Sequence, residues 1–183
     1  QLRFERTVPS RGDTTAERKN PMSIHHLDDT VTQPFWDNSV EPRLTIEPGD
    51  TVVFECLDAS GQLSETSTVD DYINVDRSQI HALNGSVAIA GAEPGDTFQV
   101  EILGMQHKRC GWTGIKPGFG LLADDYPEPY FHLWHLEGDD CHFGVNDIIL
   151  PFEPMPGCVG VAPAEPGRLN TIPPRRNGGN VDI

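Results

Sequence analysis

Eighteen glycines and sixteen prolines among 183 residues leave little room for long helices. In a helix interior glycine costs about 1 kcal/mol and proline about 3 kcal/mol relative to alanine. Both residues suit turns instead. The apolar residues between these breakers are regularly placed, so the chain is not low-complexity sequence. The pattern predicts a mainly β, sandwich-like domain of short strands, few helical turns and long Pro/Gly-rich loops. The stretch Thr45-Ile46-Glu47-Pro48-Gly49-Asp50-Thr51-Val52-Val53-Phe54-Glu55-Cys56 shows the grammar. Pro48 presets φ for the second position of a turn, and Gly49 supplies the positive φ that a type II turn needs next. A β-branched and aromatic run then leaves the turn as a strand.

The pentapeptide Glu-Pro-Gly-Asp-Thr stands at 47–51 and again at 93–97. After the second copy Phe98, Val100 and Ile102 alternate with Gln99 and Glu101, the period of a half-buried strand. Two readings are open: two independent hairpin turns of one composition, or a duplicated β motif. A third, incomplete copy, Ala164-Glu165-Pro166-Gly167, opens no evident strand and favours independent turns. Further strands are expected at Ser86–Ala90, through the aromatic stretch 127–136, and at Asp147–Phe152. One helical turn is expected within 58–79. Residues 1–22 read as a polar arm, followed by one β-rich lobe over 23–183. The prolines at 154, 156, 163, 166, 173 and 174 make 153–174 a stiffened crossing over a surface rather than a core element.

The charge bounds the partners. Thirteen Lys and Arg against twenty-eight Asp and Glu give a net charge of −15. Such a chain is a poor match for nucleic-acid phosphates or anionic lipid. No apolar run approaches the roughly 20 residues of a membrane span. The first twenty residues have no apolar centre, so a signal peptide is not expected. Cys56, Cys110, Cys141 and Cys158 are scattered, without a Cys-x-x-Cys pair. Lone thiols of this kind point to a reduced, cytoplasmic setting.

Several clusters invite a chemical reading. His132 and His135 would share a face on a helix, but their surroundings read as a strand, which puts them on opposite faces. Asp139-Asp140-Cys141-His142 are four adjacent residues, which seldom close on one tetrahedral ion. His25-His26 with Asp28-Asp29 form a further polar group. Phe35-Trp36-Asp37-Asn38-Ser39 leaves two readings open: a strand pinned by Trp36, or the lining of a pocket. His81-Ala82-Leu83-Asn84-Gly85 sits in a turn. Gly118-Phe119-Gly120 lacks the spacing of a phosphate loop.

The tail Pro173-Pro174-Arg175-Arg176-Asn177-Gly178-Gly179-Asn180-Val181-Asp182-Ile183 is the best candidate for a site. Two prolines stiffen its entry, and the Gly-Gly pair lets backbone approach backbone. If Asn-Val-Asp is extended, Asn180 and Asp182 point to one face. One carboxylate is not a site, so its partners must lie elsewhere.

These segments together resemble the acetamidase/formamidase family. The resemblance runs from Phe35-Trp36-Asp37-Asn38-Ser39 through His81-Ala82-Leu83-Asn84-Gly85, Gly91-Ala92-Glu93-Pro94-Gly95-Asp96 and Pro117-Gly118-Phe119-Gly120-Leu121-Leu122-Ala123-Asp124. It continues through Pro156-Gly157-Cys158-Val159-Gly160-Val161-Ala162-Pro163 to the tail, roughly over residues 22–183. The resemblance implies a β-rich, sandwich-like fold and hydrolysis of formamide, acetamide and similar short amides to acid and ammonia. It implies a divalent metal, Zn or Ca, with Asp182 as a ligand. Asp182, Asn180 and Arg175 are then the expected catalytic residues, with Arg175 or Arg176 facing an oxyanion or a product carboxylate. Trp36, Asp37, His81 and Phe119 are the expected substrate-binding residues. The family's further ligands belong to a Gly-Asp-x-His-Ala…Gly-Asp-Gly-Glu motif downstream of the point matched by Ile183. The chain therefore resembles the N-terminal half of a family member, and a complementary C-terminal half or second chain is the expected partner. A homo-oligomer is also expected. The alternative is a non-catalytic β lobe that serves binding or assembly.

Overall fold

The computed structural model describes residues 1–7, 22–143 and 148–180. The first strands are β1 (Leu2–Thr7), β2 (Ile24–Leu27), β3 (Phe35–Trp36), β4 (Leu44–Ile46) and β5 (Thr51–Phe54). A five-residue helix α1 (Val69–Ile73) and a 3-10 turn (Arg77–Gln79) follow. Then come β6 (Val87–Ile89), β7 (Thr97–Ile102), β8 (Cys110–Ile115), β9 (Tyr130–Glu137), β10 (Asp140–Phe143) and β11 (Ile148–Pro151). The last are β12 (Cys158–Gly160), β13 (Leu169–Asn170) and β14 (Gly178–Asn180). Strands dominate and helix is almost absent, as the density of glycine and proline requires. No helix among the described residues is long and apolar enough to cross a membrane.

The chain divides into two compact units, although the sequence marks no boundary between them. The first comprises Gln1–Leu57, His81–Met105 and Gly157–Ile183, the second Asp58–Ile80 and Gln106–Pro156.

In the first unit a four-stranded sheet runs in the order β2-β5-β1-β7. The expected arm therefore begins as an interior strand: β1 pairs antiparallel with β5 on one side and β7 on the other. The reason is backbone pairing, since an interior strand satisfies both of its hydrogen-bonding edges. Arg3 adds an ion pair to Glu101 at 3.1 Å. The remainder of the expected arm, 8–21, lies outside the described residues. Leu27, Ile46 and Val52 are buried at the centre of the unit, with Leu44, Phe54, Val87 and Ile89 packed around them.

The two Glu-Pro-Gly-Asp-Thr turns do not make hairpins. β4 pairs in parallel with β6, Leu44 opposite Val87 and Ile46 opposite Ile89. β5 and β7 lie in the other sheet, one on each side of β1. Each turn thus carries the chain from the β4–β6 ribbon into the four-stranded sheet. The two turns match bond for bond. Asp50 N–H donates to Glu47 O at 3.1 Å, and Asp96 N–H to Glu93 O at 3.0 Å. Glu47 N–H donates to Asp50 Oδ2 at 3.1 Å, and Glu93 N–H to Asp96 Oδ2 at 2.8 Å. Gly49 and Gly95 take φ values of 97° and 99°. Like sequence, like bonds and a shared strand partner make this a duplicated β motif.

Asp50 also ties its turn to β2. It is only 6% exposed. It accepts Ser23 N–H at 2.9 Å, and its Oδ2 lies 2.9 Å from His25 Nε2. Burial alone would raise its pKa, but the bonds from Ser23, His25 and Glu47 outweigh that and hold it below 3.8. A depressed carboxylate pKa contributes stability above the unfolded value that is lost as pH falls through the folded one. Asp50→Asn is expected to lower the unfolding free energy by about 1–3 kcal/mol near neutral pH. The gap between variant and wild type should close below pH 3.8, as urea midpoints across the acid range will show.

In the second unit β8 to β11 form an antiparallel meander in the order β11-β10-β9-β8. Helix α1 opens on a capping box between Thr68 and Asp71. Its Tyr72 ring packs 5.4 Å from Trp112 and 5.5 Å from Phe131. Gly114 makes the room: a Cβ there would stand 2.6 Å from the Tyr72 ring. Trp112 Nε1 donates to Asp58 Oδ2 at 3.2 Å, and Lys116 Nζ to the Ile73 carbonyl at 3.1 Å.

Candidate functional site

The tail is built into the first unit. β14 pairs antiparallel with β12, Asn180 opposite Cys158 and Gly178 opposite Gly160. Arg175 and Gly178 exchange two backbone bonds of 2.9 Å, which closes a two-residue hairpin over Arg176 and Asn177. Asn177 extends the pairing: Val161 N–H donates to its carbonyl at 2.7 Å, and its Nδ2 donates back to Val161 O at 3.2 Å. Gly178 and Gly179 have φ of 106° and 142°. A Cβ at Gly178 would meet Val159 O at 2.4 Å, and one at Gly179 would meet Thr171 O at 2.6 Å. The glycine pair does what the sequence suggested, letting backbone lie against backbone. The extended form that would align Asn180 and Asp182 holds through Asn180. Asp182 lies outside the described residues.

The proline-rich stretch 153–174 is more than a surface crossing. It contributes β12 to the tail ribbon and β13 to a ribbon with β3, Leu169 opposite Trp36. Its Thr171 is 2% exposed. The third Glu-Pro-Gly copy does lead into a short strand, with Arg168 where the other two copies have aspartate. Asp37 bonds this segment at a different point: its Oδ1 accepts Gly167 N–H at 3.1 Å, where the aspartates of the other copies accept the N–H of the leading glutamate. The same oxygen accepts the Ser39 hydroxyl at 2.6 Å and Ser39 N–H at 2.9 Å. The Ser39 bonds foremost, then Gly167 and the Arg168 charge, hold the Asp37 carboxyl below 3.8 against the opposing effect of burial. Asn38 Nδ2 reaches the carbonyls of Pro163 and Ala164 at 2.9 and 2.8 Å. Asp37 and Asn38 therefore fasten the β3 turn onto the 163–168 loop.

Trp36, Asp37, His81 and the described part of the tail all belong to this unit. The Trp36 ring lies against Gly160, where a Cβ would stand 3.0 Å from it. The Trp36 Nε1 is buried without a hydrogen-bond partner. His81 Nδ1 lies 2.9 Å from the Thr171 hydroxyl. Thr171 in turn packs its carbonyl against Gly179, so it joins the loop histidine to the tail strand. Arg175 is exposed at the mouth of the hairpin. Phe119 belongs to the second unit, where the Arg77 guanidinium sits 5.0 Å from its ring centroid.

Other clusters read from the sequence do not assemble. His132 and His135 lie on strand β9, as the surrounding pattern predicts. His132 packs 4.1 Å from the Phe143 ring, with its Nε2 buried and unpartnered. Among the described residues no three His, Cys, Asp or Glu side chains converge as metal ligands. The described residues thus do not by themselves fit a metal ion.

Sequence reasoning missed Thr171, which sits in no recognisable motif of its own.

Comparison with known proteins places this geometry. Residues 21–167 match the model of the acetamidase/formamidase family. A Schizosaccharomyces pombe protein is 34% identical over 162 residues, which cover 79% of this chain and 39% of the relative. The acetamidase of Mycolicibacterium smegmatis is 26% identical over 210 residues, covering 81% of this chain and 52% of its own length. The crystal structure of a Bacillus halodurans acetamidase superposes with a TM-score of 0.75 at 29% identity, over 86% of this chain and 52% of that one. The chain thus spans between 39% and 52% of the length of these curated relatives. On the family match over most of its residues, and on the likeness of fold, the chain belongs to the acetamidase/formamidase family.

Proposed function

We propose that this protein takes part in hydrolysing short linear amides, of the formamide and acetamide class, to the carboxylic acid and ammonia. The observation that carries the reading is the anchoring of the tail. β14 lies on β12, and Gly179 packs on Thr171, which holds His81. Trp36 of β3 lies against Gly160 of β12, and Asp37 follows it in the chain. In this reading Trp36, Asp37 and His81, all of the first unit, shape the amide-binding side. Asn180 and Asp182 supply polar groups to the reacting centre, and Arg175 attracts an oxyanion or the product carboxylate.

A divalent ion, Zn or Ca, completes the proposal. Asp182 offers the carboxylate that either ion accepts. Its other ligands come from polypeptide matching the remainder of the relatives, whether continuous with this chain or supplied separately. The reading sets the protein in the cytoplasm, working as an oligomer.

A second reading, a lobe for assembly without turnover, is favoured by β11. Ile148, Ile149 and Leu150 are 44%, 51% and 46% exposed at the edge of their sheet. Exposed apolar edges of this kind invite another strand. The native mass and metal content of the purified material separate the two. The amidase reading expects an assembly holding a stoichiometric divalent ion. A 20.2 kDa monomer without metal contradicts it and favours the second reading.

A further inference from the structure

We propose that His107 is a pH-sensitive clasp, whose doubly protonated ring ties the β9–β10 turn to the segment entering β8 and slackens when it loses a proton. Every residue of the clasp lies in the second unit, so it does not depend on the amidase reading.

The ring sits between two acceptors. His107 Nδ1 lies 2.7 Å from the Lys108 carbonyl oxygen, and Nε2 lies 2.8 Å from the Gly138 carbonyl oxygen. A backbone carbonyl can only accept. Each ring nitrogen must therefore donate, and only the imidazolium carries both protons. A neutral ring would turn one bare nitrogen lone pair against a carbonyl oxygen, keeping one bond and losing the other. With both nitrogens engaged, the ring is free neither to ligate a metal nor to pass a proton to a substrate.

The neighbouring bonds show what the clasp holds. Gly138 and Asp139 form the two-residue loop between β9 and β10. His107 takes the first loop carbonyl, and Phe152 N–H donates to the second, Asp139 O, at 2.8 Å. The Phe152 ring meets the His107 ring edge-on, with centroids 4.9 Å apart. Two residues beyond His107, the Arg109 carbonyl accepts Leu136 N–H at 3.0 Å. The Gly138 contact spans 31 residues, so the ring joins stretches that are distant in the chain.

The charges around the ring are those of Lys108 and Arg109 on its own segment, Glu137, Asp139 and Asp140 about the turn, and Glu153 after Phe152. The bonds to Lys108 and Gly138 raise the His107 pKa above 6.5, and the Asp139 carboxylate adds to the rise against the opposing effect of burial. A raised histidine pKa contributes stability that is fully present below the unfolded value and lost as pH rises through the folded one. The clasp is therefore closed below pH 6.5 and slackens above it, in the range where histidine serves as a switch.

The test follows the His107 ring of the 183-residue chain by nitrogen-15 NMR from about pH 5 to about pH 9. Both ring nitrogens should stay protonated past pH 6.5. His107→Ala should lower the urea midpoint, with a wider gap from wild type at about pH 6 than at about pH 9. A ring that titrates at or below 6.5 overturns the proposal, as does a gap that stays constant or widens with rising pH. If His107→Ala does not fold, the wild-type titration decides alone.

Discussion

Gly178→Ala should cost the first unit about 3 kcal/mol of stability and abolish the β12–β14 pairing. Two independent effects act together. The added methyl would sit 2.4 Å from Val159 O and 2.5 Å from Gly160 Cα, both backbone atoms with no rotamer to yield. The φ of 106° is also one that a side chain resists. Held strain of that kind costs about 1–3 kcal/mol by itself, and overpacking costs about as much again. Gly157→Ala is the control: nothing lies within 4 Å of its added Cβ, and it should shift stability by less than about 0.5 kcal/mol. Denaturant midpoints of the two variants, with amide exchange across 158–161 and 178–180, decide the matter. Equal midpoints would mean that the tail is not anchored as described.

Asp182→Asn should abolish amide turnover while leaving the fold intact. The substitution keeps the side chain's shape and removes its charge. A neutral carboxamide is a poor replacement for a carboxylate on a hard divalent ion. We expect metal content to fall and kcat/KM to drop by at least about 100-fold, which is about 2.7 kcal/mol of transition-state stabilisation. Asp37→Asn should behave differently. Asp37 accepts the Ser39 and Gly167 bonds, so its loss should appear first in stability. A variant of Asp182 with normal metal and normal turnover would remove that residue from the mechanism.

The local chemistry of the fold was legible in the sequence. Pro48-Gly49 and Pro94-Gly95 name their turns because positive φ is nearly glycine's alone. The alternation from Phe98 to Ile102 names β7. The strand character around His132 and His135 told correctly against their meeting. Pairing was not legible. The Glu-Pro-Gly-Asp-Thr turns fix the direction of the chain over a few residues, but whether the strands on either side pair is decided by partners far away. β4 found β6, and β5 found β1. The same distance hid β1 inside a polar N-terminal stretch.

The site was legible to a similar depth. The tail's glycine pair announced a close backbone approach, and β12 is what it approaches. The histidine at 81 was visible, but its partner at 171 was not, because no periodicity links a loop to a residue beyond the other unit's sequence. Asp37 stood out as a carboxylate beside aromatics. Its Oδ1 is instead engaged by Ser39 and by the Gly167 N–H of the 163–168 loop.

The most direct measurement is ammonia release from formamide and acetamide by the native assembly, with the carboxylic acid measured alongside. The account predicts ammonia and acid in equal amounts. Folded, metal-replete material that releases neither from either amide would contradict it.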